Sequence, residues 1–540
     1  LALSAYAQKN AKPPKEESCS VSGIVIKMAD SAPLRKARVM LTSVEEPTRT
    51  VVAVTNADGR FALKSIAPGP YRLSVSRVGF VSEGYGQRKP DAPGAVLTLR
   101  AGQDLKDLQF RLIPAGVISG KIYDDDGEPL PNVTVNAERQ VHAEGKIARA
   151  PATGATTNDL GEYRLFDLAP GRYFVSCVYP RWNRGWIEVD SGDAETEGYA
   201  KLYYPGTADV AKAGAIAIKA GEEASSIDIL MRKVPVHQVR GIVYNQITHK
   251  PGVGVMLVLQ PKSRSGEWDY TAQATVQKPD GSFVIQEILP GSYTLSSHWF
   301  EDGVNYVNRQ AVDVGNADVE GIAITVMPGT NISGRVVWEG QPALEKDELT
   351  VIPQAPDVRF GVRGQGKVGR DNLFTLKGLG EGTYQAAVFG MSKDCYIKDI
   401  RYGESSALKD GFTVTRGDAG SLEIILSSRG ARVQGTVMDS DGLPVAGVWV
   451  VLVPELSQRE NSQKYKMEST DQYGNFVLRG ISPGDYKLFS WVEVEWGAWE
   501  DPEFLKQFEE KGERITLQDG DHSSVKVTAS QTKVPESSKP

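Results

Sequence analysis

"FALKSIAPGPY" occupies residues 61–71, and nearly the same phrase returns as "YRLFDLAPGRY" at 163–173, "FVIQEILPGSY" at 283–293, "FTLKGLGEGTY" at 374–384 and "FVLRGISPGDY" at 476–486. Every copy sets an aromatic residue (Phe61, Tyr163, Phe283, Phe374, Phe476) ten places before a tyrosine (Tyr71, Tyr173, Tyr293, Tyr384, Tyr486). Self-similarity at a fixed period is the signature of a tandem array. The 540 residues therefore divide into five units of about a hundred residues, each large enough for its own core.

Within the phrase, Phe61 and Leu63 fall on one face of a strand, as do Tyr71 and Leu73, and such faces must meet a second sheet. Pro68-Gly69 marks the tight connection between the two strands, and Asp58-Gly59 the turn before them. The fourth copy substitutes Glu381-Gly382 and Asp371-Asn372, and Asn tolerates the positive φ that Gly accepts. Upstream, each unit opens with an alternating strand around a glycine: "VSGIV", "ISGKI", "VRGIV", "ISGRV" and "VQGTV", with glycines at 23, 120, 241, 334 and 435. Turns such as "DDDGEPLP" (124–131) and "DSDGLPVA" (439–446) follow, then a returning strand, which is hairpin grammar. A last strand, as in Leu108, Phe110 and Leu112, closes each unit.

About seven short strands per unit, with helical character only around "PEFLKQFEEKG" (502–512), predict an all-β array of five antiparallel Greek-key sandwiches. The expected boundaries are a leader and linker at 1–18, modules at 19–114, 115–234, 235–330, 331–430 and 431–530, and a polar tail at 531–540. Linkers are nearly absent, so the array is expected to be semi-rigid.

A net charge of −7 argues against a nucleic-acid partner, and no apolar run is long enough to span a membrane. "LALSAYAQ" reads as the end of a secretory leader with Ala5-x-Ala7 before its cleavage site, so the protein is expected to be exported to the periplasm, cell surface or medium, as a monomer. Cys19, Cys177 and Cys395 are an odd number spread over different modules, which excludes a disulfide-stapled scaffold.

The strand "SGxV", the turn "DxDGxPLPxV" and the phrase "DxxGxYxLxxLxPGxY" closely resemble the carboxypeptidase regulatory-like domain. That family has a transthyretin-like sandwich grouped with Cna B-type and starch-binding-like folds. The resemblance runs from residue 19 to about 528 and implies fold more firmly than activity, because such sandwiches are scaffolds for many functions.

No complete catalytic constellation emerges. His298-x-x-Glu301 has the two-ligand spacing of a metallocarboxypeptidase, but the only later histidine is His522, two modules on, and the setting is a strand end. The histidines at 142, 237, 249, 298 and 522 are scattered, and no G-x-S-x-G elbow is present. "DDDG" and "DSDG" imitate the start of a calcium loop but lack the glutamate at its twelfth position, so they read as turns. Cna B-type relatives can carry a Lys–Asn isopeptide bond promoted by a buried acid. The strands after "PGxY" contain no Glu here, and Lys27 and Lys121 read as exposed strand residues. The expectation is no enzyme, no metal and no cofactor.

Aromatic residues outside the repeat are the candidate binding residues. Module 2 gathers Trp182, Trp186, Tyr199, Tyr203 and Tyr204, and module 5 has Trp491, Trp496 and Trp499. Loop aromatics offer wide flat surfaces with little rotamer entropy to lose, suited to a sugar ring or a protein partner, and they also serve in packing between modules. Trp182, Trp186, Tyr203, Tyr204, Trp496 and Trp499 are the expected ligand contacts. The partner expected is a polysaccharide or an envelope protein. The alternative is an interaction spacer, or an accessory segment of a larger envelope peptidase or transporter.

Overall fold

The alternation around Gly23 becomes strand β1 (Cys19–Lys27), the first of eight that build module 1 in a computed structural model of the chain. That structure describes residues 18–90, 92–143, 145–179, 196–262, 272–301, 304–344, 348–355, 364–417 and 420–532. The remaining strands of module 1 are β2 (Arg38–Ser43), β3 (Thr50–Val54), β4 (Arg60–Ile66), β5 (Gly69–Ser76), β6 (Glu83–Gly84), β7 (Leu97–Leu99) and β8 (Asp104–Leu112). One sheet has the order β4-β1-β8, and the other runs β3-β2-β5 with β6 and β7 both on β5. Phe61 and Leu63 from the first sheet meet Tyr71 and Leu73 from the second in one buried cluster.

Pairing differs from the all-antiparallel expectation in one respect. β1 is antiparallel to β4 but parallel to β8, and the first and last strands of the other four modules are likewise parallel. The chain leaves β1 to build both sheets and re-enters beside it in the same direction. Period-two alternation reports which face a residue takes, not the direction of its neighbour.

The parallel contact also accounts for the glycine of "SGxV". A Cβ on Gly23, Gly120, Gly241 or Gly435 would overlap the carbonyl oxygen of Leu108, Ile227, Ile322 or Val525 respectively, each on the returning chain. In module 4 it would instead overlap the Phe374 ring.

All five tyrosines of the repeat are buried. Each hydroxyl donates to the backbone carbonyl four residues earlier: Tyr71 to Ala67 (2.8 Å), Tyr173 to Ala169 (2.7 Å), Tyr293 to Leu289 (2.7 Å), Tyr384 to Gly380 (2.9 Å) and Tyr486 to Ser482 (2.9 Å). Tyrosine thus fills the core while its hydroxyl ties down the turn that precedes it, a role phenylalanine cannot take. The variant turn in module 4 is kept as expected: Asn372 has φ 62°, matching 70° at Gly59.

Buried apolar clusters lie within residues 19–112, 118–231, 239–326, 332–426 and 431–529. Module 3 joins its two sheets through Tyr306↔Pro328 and Val307↔Met327 into a single seven-stranded sheet. Module 5 adds a satellite core containing Phe489, Trp491, Trp499, Leu505 and Phe508. Over it lies the short helix α1 (Pro502–Lys506), started by Asp501, whose carboxylate accepts from Glu503 N at 2.9 Å.

Candidate binding site

Trp491 continues the Tyr486 strand inward and stacks on Phe489, with ring centroids 5.5 Å apart and planes 7° from parallel. The chain then leaves the sheet, and Gly497, in the left-handed region at φ 81°, reverses it into a single 3-10 turn, Ala498–Glu500. That reversal separates two indoles three residues apart. Trp499 is fully buried, whereas Trp496 is 56% exposed. Trp499 is therefore a core residue, not the ligand contact expected from its position in a loop. It forms the floor on which Trp496 stands, their rings edge-on at 5.3 Å, with half-buried Trp449 at 5.1 Å from Trp496.

The segment that carries this aromatic step meets modules 1 and 2. Lys89 of module 1 pairs with Glu493 at 2.8 Å. From module 2, His142 Nδ1 lies 3.3 Å from a Glu495 carboxylate oxygen and its Nε2 3.8 Å from Asp501. The imidazole beside it holds the Glu495 carboxyl below its ordinary range. His142 sits near the tip of a hairpin formed by strands Thr134–Ala143 and Lys146–Thr156. The tip fits closely: a Cβ on Gly145 would press on Glu500 O, and one on Gly497 on His142 O.

The same hairpin carries a buried polar group that the sequence did not disclose. Glu138, 4% exposed, accepts from Ser176 Oγ at 2.5 Å and pairs with Lys201 at 3.2 Å. Its second oxygen has no hydrogen-bond partner among the described residues. The Arg149 guanidinium lies over Phe174, 3.7 Å from the ring centre. Glu138 stands directly opposite Phe174 and Arg149 opposite Gln140, so all lie on the sheet face turned away from the module core. Tyr203, opposite Ser176, belongs to this layer and is buried, so it is a structural residue and not an open contact. Tyr204 is half-buried against the module 2 core, and Tyr199 packs on Tyr179 at 5.3 Å, burial pushing its hydroxyl up to about 12. Trp182 and Trp186 lie outside the described residues.

The other candidates resolve as structure. His298 and Glu301 occupy one strand, Gly291–Glu301, at an odd separation that sends them to opposite faces. Asp124, Asp125 and Asp126 are the one group of three potential metal ligands found together among the described residues. Asp124 Oδ1 there accepts from Asp126 N (3.0 Å) and Glu128 N (2.8 Å), closing the turn, and Asp439 does the same for Asp441 N and Leu443 N (both 2.9 Å). Lys27 and Lys121 pair with exposed Asp30 (3.4 Å) and Glu162 (3.0 Å). The three cysteines are buried free thiols, and burial pushes that of Cys177 up to about 12.

Residues 20–112 and 117–198 match the model of the carboxypeptidase regulatory-like domain, so the chain carries tandem copies of that domain. Solved structures that resemble it include the Bacillus anthracis TIE protein, at 14% identity and TM-score 0.17, covering 58% of this chain and 51% of that one. A streptococcal ancillary pilin has 14% identity and TM-score 0.23, covering 58% of this chain and 99% of that one. The minor pilin GBS52 of Streptococcus agalactiae has 13% identity and TM-score 0.23, covering 41% and 97%. This chain thus spans about half the length of the first of them. No curated protein matches in sequence.

Proposed function

We propose that the chain is a non-enzymatic, exported scaffold that binds a polysaccharide at the cell envelope. The observation that carries this reading is Trp496, an exposed indole held on Trp449 and Trp499, in a segment whose Glu493 pairs with Lys89 and whose Glu495 faces His142. A sugar ring offers an apolar C–H face for stacking on an exposed indole, and one stacked ring contributes about 1 kcal/mol beyond its buried area. Binding by one site would be weak, and a repeating polymer would gain by avidity. The buried Glu138 lends no support to catalysis, since its bonded oxygen is committed to Ser176 and Lys201. A glycan array with the wild-type chain and Trp496→Ala tests the reading. Binding that Trp496→Ala abolishes supports it, and silence across envelope polysaccharides, or binding unchanged in Trp496→Ala, removes it.

A protein-interaction role is favoured instead by module 3. There Ile242 (38% exposed), Tyr244 (40%) and Val284 (37%) form an apolar patch on adjacent strands. A pull-down from envelope extract that succeeds with wild type and fails with Tyr244→Lys would select that role.

A further inference from the structure

We infer that the chain is a two-jaw clamp: modules 1 and 2 form one jaw, modules 3, 4 and 5 the other, and the Trp496 step lies in the catch between them. The five modules do not form a simple row, because module 5 returns to modules 1 and 2. The junctions differ in kind, and that difference locates the hinge.

Within each jaw, the bodies of successive modules touch at turns and at glycine backbone. Modules 1 and 2 share Ala115 N to Gly79 O (3.0 Å) and Gly79 N to Asp167 Oδ1 (3.2 Å). Modules 3 and 4 meet where Gly329 presses on Gly378, with Asn305 Nδ2 donating to Gly378 O at 2.9 Å. Modules 4 and 5 meet where Gly430 presses on Asp394 and Gly480, and Tyr396 donates to Asp519 at 2.5 Å. Glycine at these seams lets backbones touch with no side chain to slide on. Modules 2 and 3 are joined instead by a ribbon, Glu197–Tyr199 against Lys233–Pro235, closed by Val236 N to Thr196 O (2.9 Å). A short ribbon can bend about its own axis, as a hinge must.

The catch is made of residues nearly 400 positions apart. Val96 N donates to Thr470 O and Gln472 N to Val96 O, both at 3.2 Å. The Gln472 side-chain amide then copies a strand, accepting from Thr98 N and donating to Thr98 O, both at 2.9 Å. Arg72 pairs with Glu468 at 2.6 Å, Lys89 with Glu493 at 2.8 Å, and Lys393 of module 4 donates to Val44 O at 2.6 Å. His142 lies beside Glu495 (3.3 Å) and Asp501 (3.8 Å) on the module 2 side. The main-chain bonds join buried residues, Val96 and Thr470, whereas the ion pairs are partly solvated, so each of these holds weakly and salt loosens it. The chain on both sides of Trp496 is thus held by the opposite jaw, and opening the catch frees the segment that carries it. Any consequence for binding rests on Trp496 being a binding residue, whereas the clamp does not.

The test uses the full chain in small-angle scattering, with the triple variant Arg72→Ala, His142→Ala, Gln472→Ala beside wild type. The expected result is a larger radius of gyration and maximum dimension in the variant, with circular dichroism unchanged. A Val96→Cys, Asp471→Cys pair, whose backbones are bridged, should form a disulfide under mild oxidation and return the triple variant to wild-type dimensions. A folded triple variant with wild-type dimensions overturns the clamp, as does a folded cysteine pair that fails to cross-link. Because neither readout uses a ligand, a chain that opens as expected but binds no glycan keeps the clamp and discards the polysaccharide reading.

Discussion

The five PGxY corners and the 491–508 segment of module 5 are both aromatic, yet one is repeated and the other occurs once. In the corners every tyrosine points inward and ties its own turn, so each copy answers to its own module. In the segment, Trp491 and Trp499 point inward while Trp496 stands where modules 1 and 2 meet module 5. Repeated aromatics therefore build the sandwich. An aromatic that breaks the repeat is free to serve the relation between modules.

The largest effects should come from the inward residues of both regions. Tyr173→Ala and Trp499→Ala are each expected to destabilise their module by about 3 to 5 kcal/mol, measured by urea unfolding. A cost for Trp499→Ala as small as that of a surface substitution would break the contrast with Trp496. Next, Gly435→Ala is expected to cost about 1 to 3 kcal/mol, because its methyl group meets the Val525 carbonyl oxygen and backbone must shift. Tyr486→Phe keeps the ring and loses the bond to Ser482, so about 1 kcal/mol is expected, and no loss at all would mean that the corner works by packing alone. Smallest is Trp496→Ala, expected within about 0.5 kcal/mol of wild type in the same unfolding measurement. A large loss there would make Trp496 a packing residue.

Much of the fold was legible because it depends on local pattern. The repeat gave the sandwich faces, and Asn372 could be read as a turn residue because tolerance of positive φ belongs to the side chain itself. The tyrosine hydroxyl's partner was less visible, since a buried Tyr and a buried Phe leave the same alternation. The site was legible only as a list of aromatics. Whether Trp496 or Trp499 faces solvent turns on the backbone reversal at Gly497. Glu138 looked like one polar residue of a strand, and its burial is created by Ser176 and Lys201 arriving from elsewhere.

What the sequence by itself determined is the module: five copies of one sandwich, with their core faces and turns, all set by spacings of two to ten residues that the chain must satisfy locally. What only the tertiary structure decided is the arrangement of the modules: the parallel first and last strands, the buried Trp499 beside the open Trp496, and the return of module 5 to modules 1 and 2. The physical reason is range. Contacts such as Arg72 with Glu468 join residues 396 positions apart, and they use common polar side chains whose partners no local pattern names.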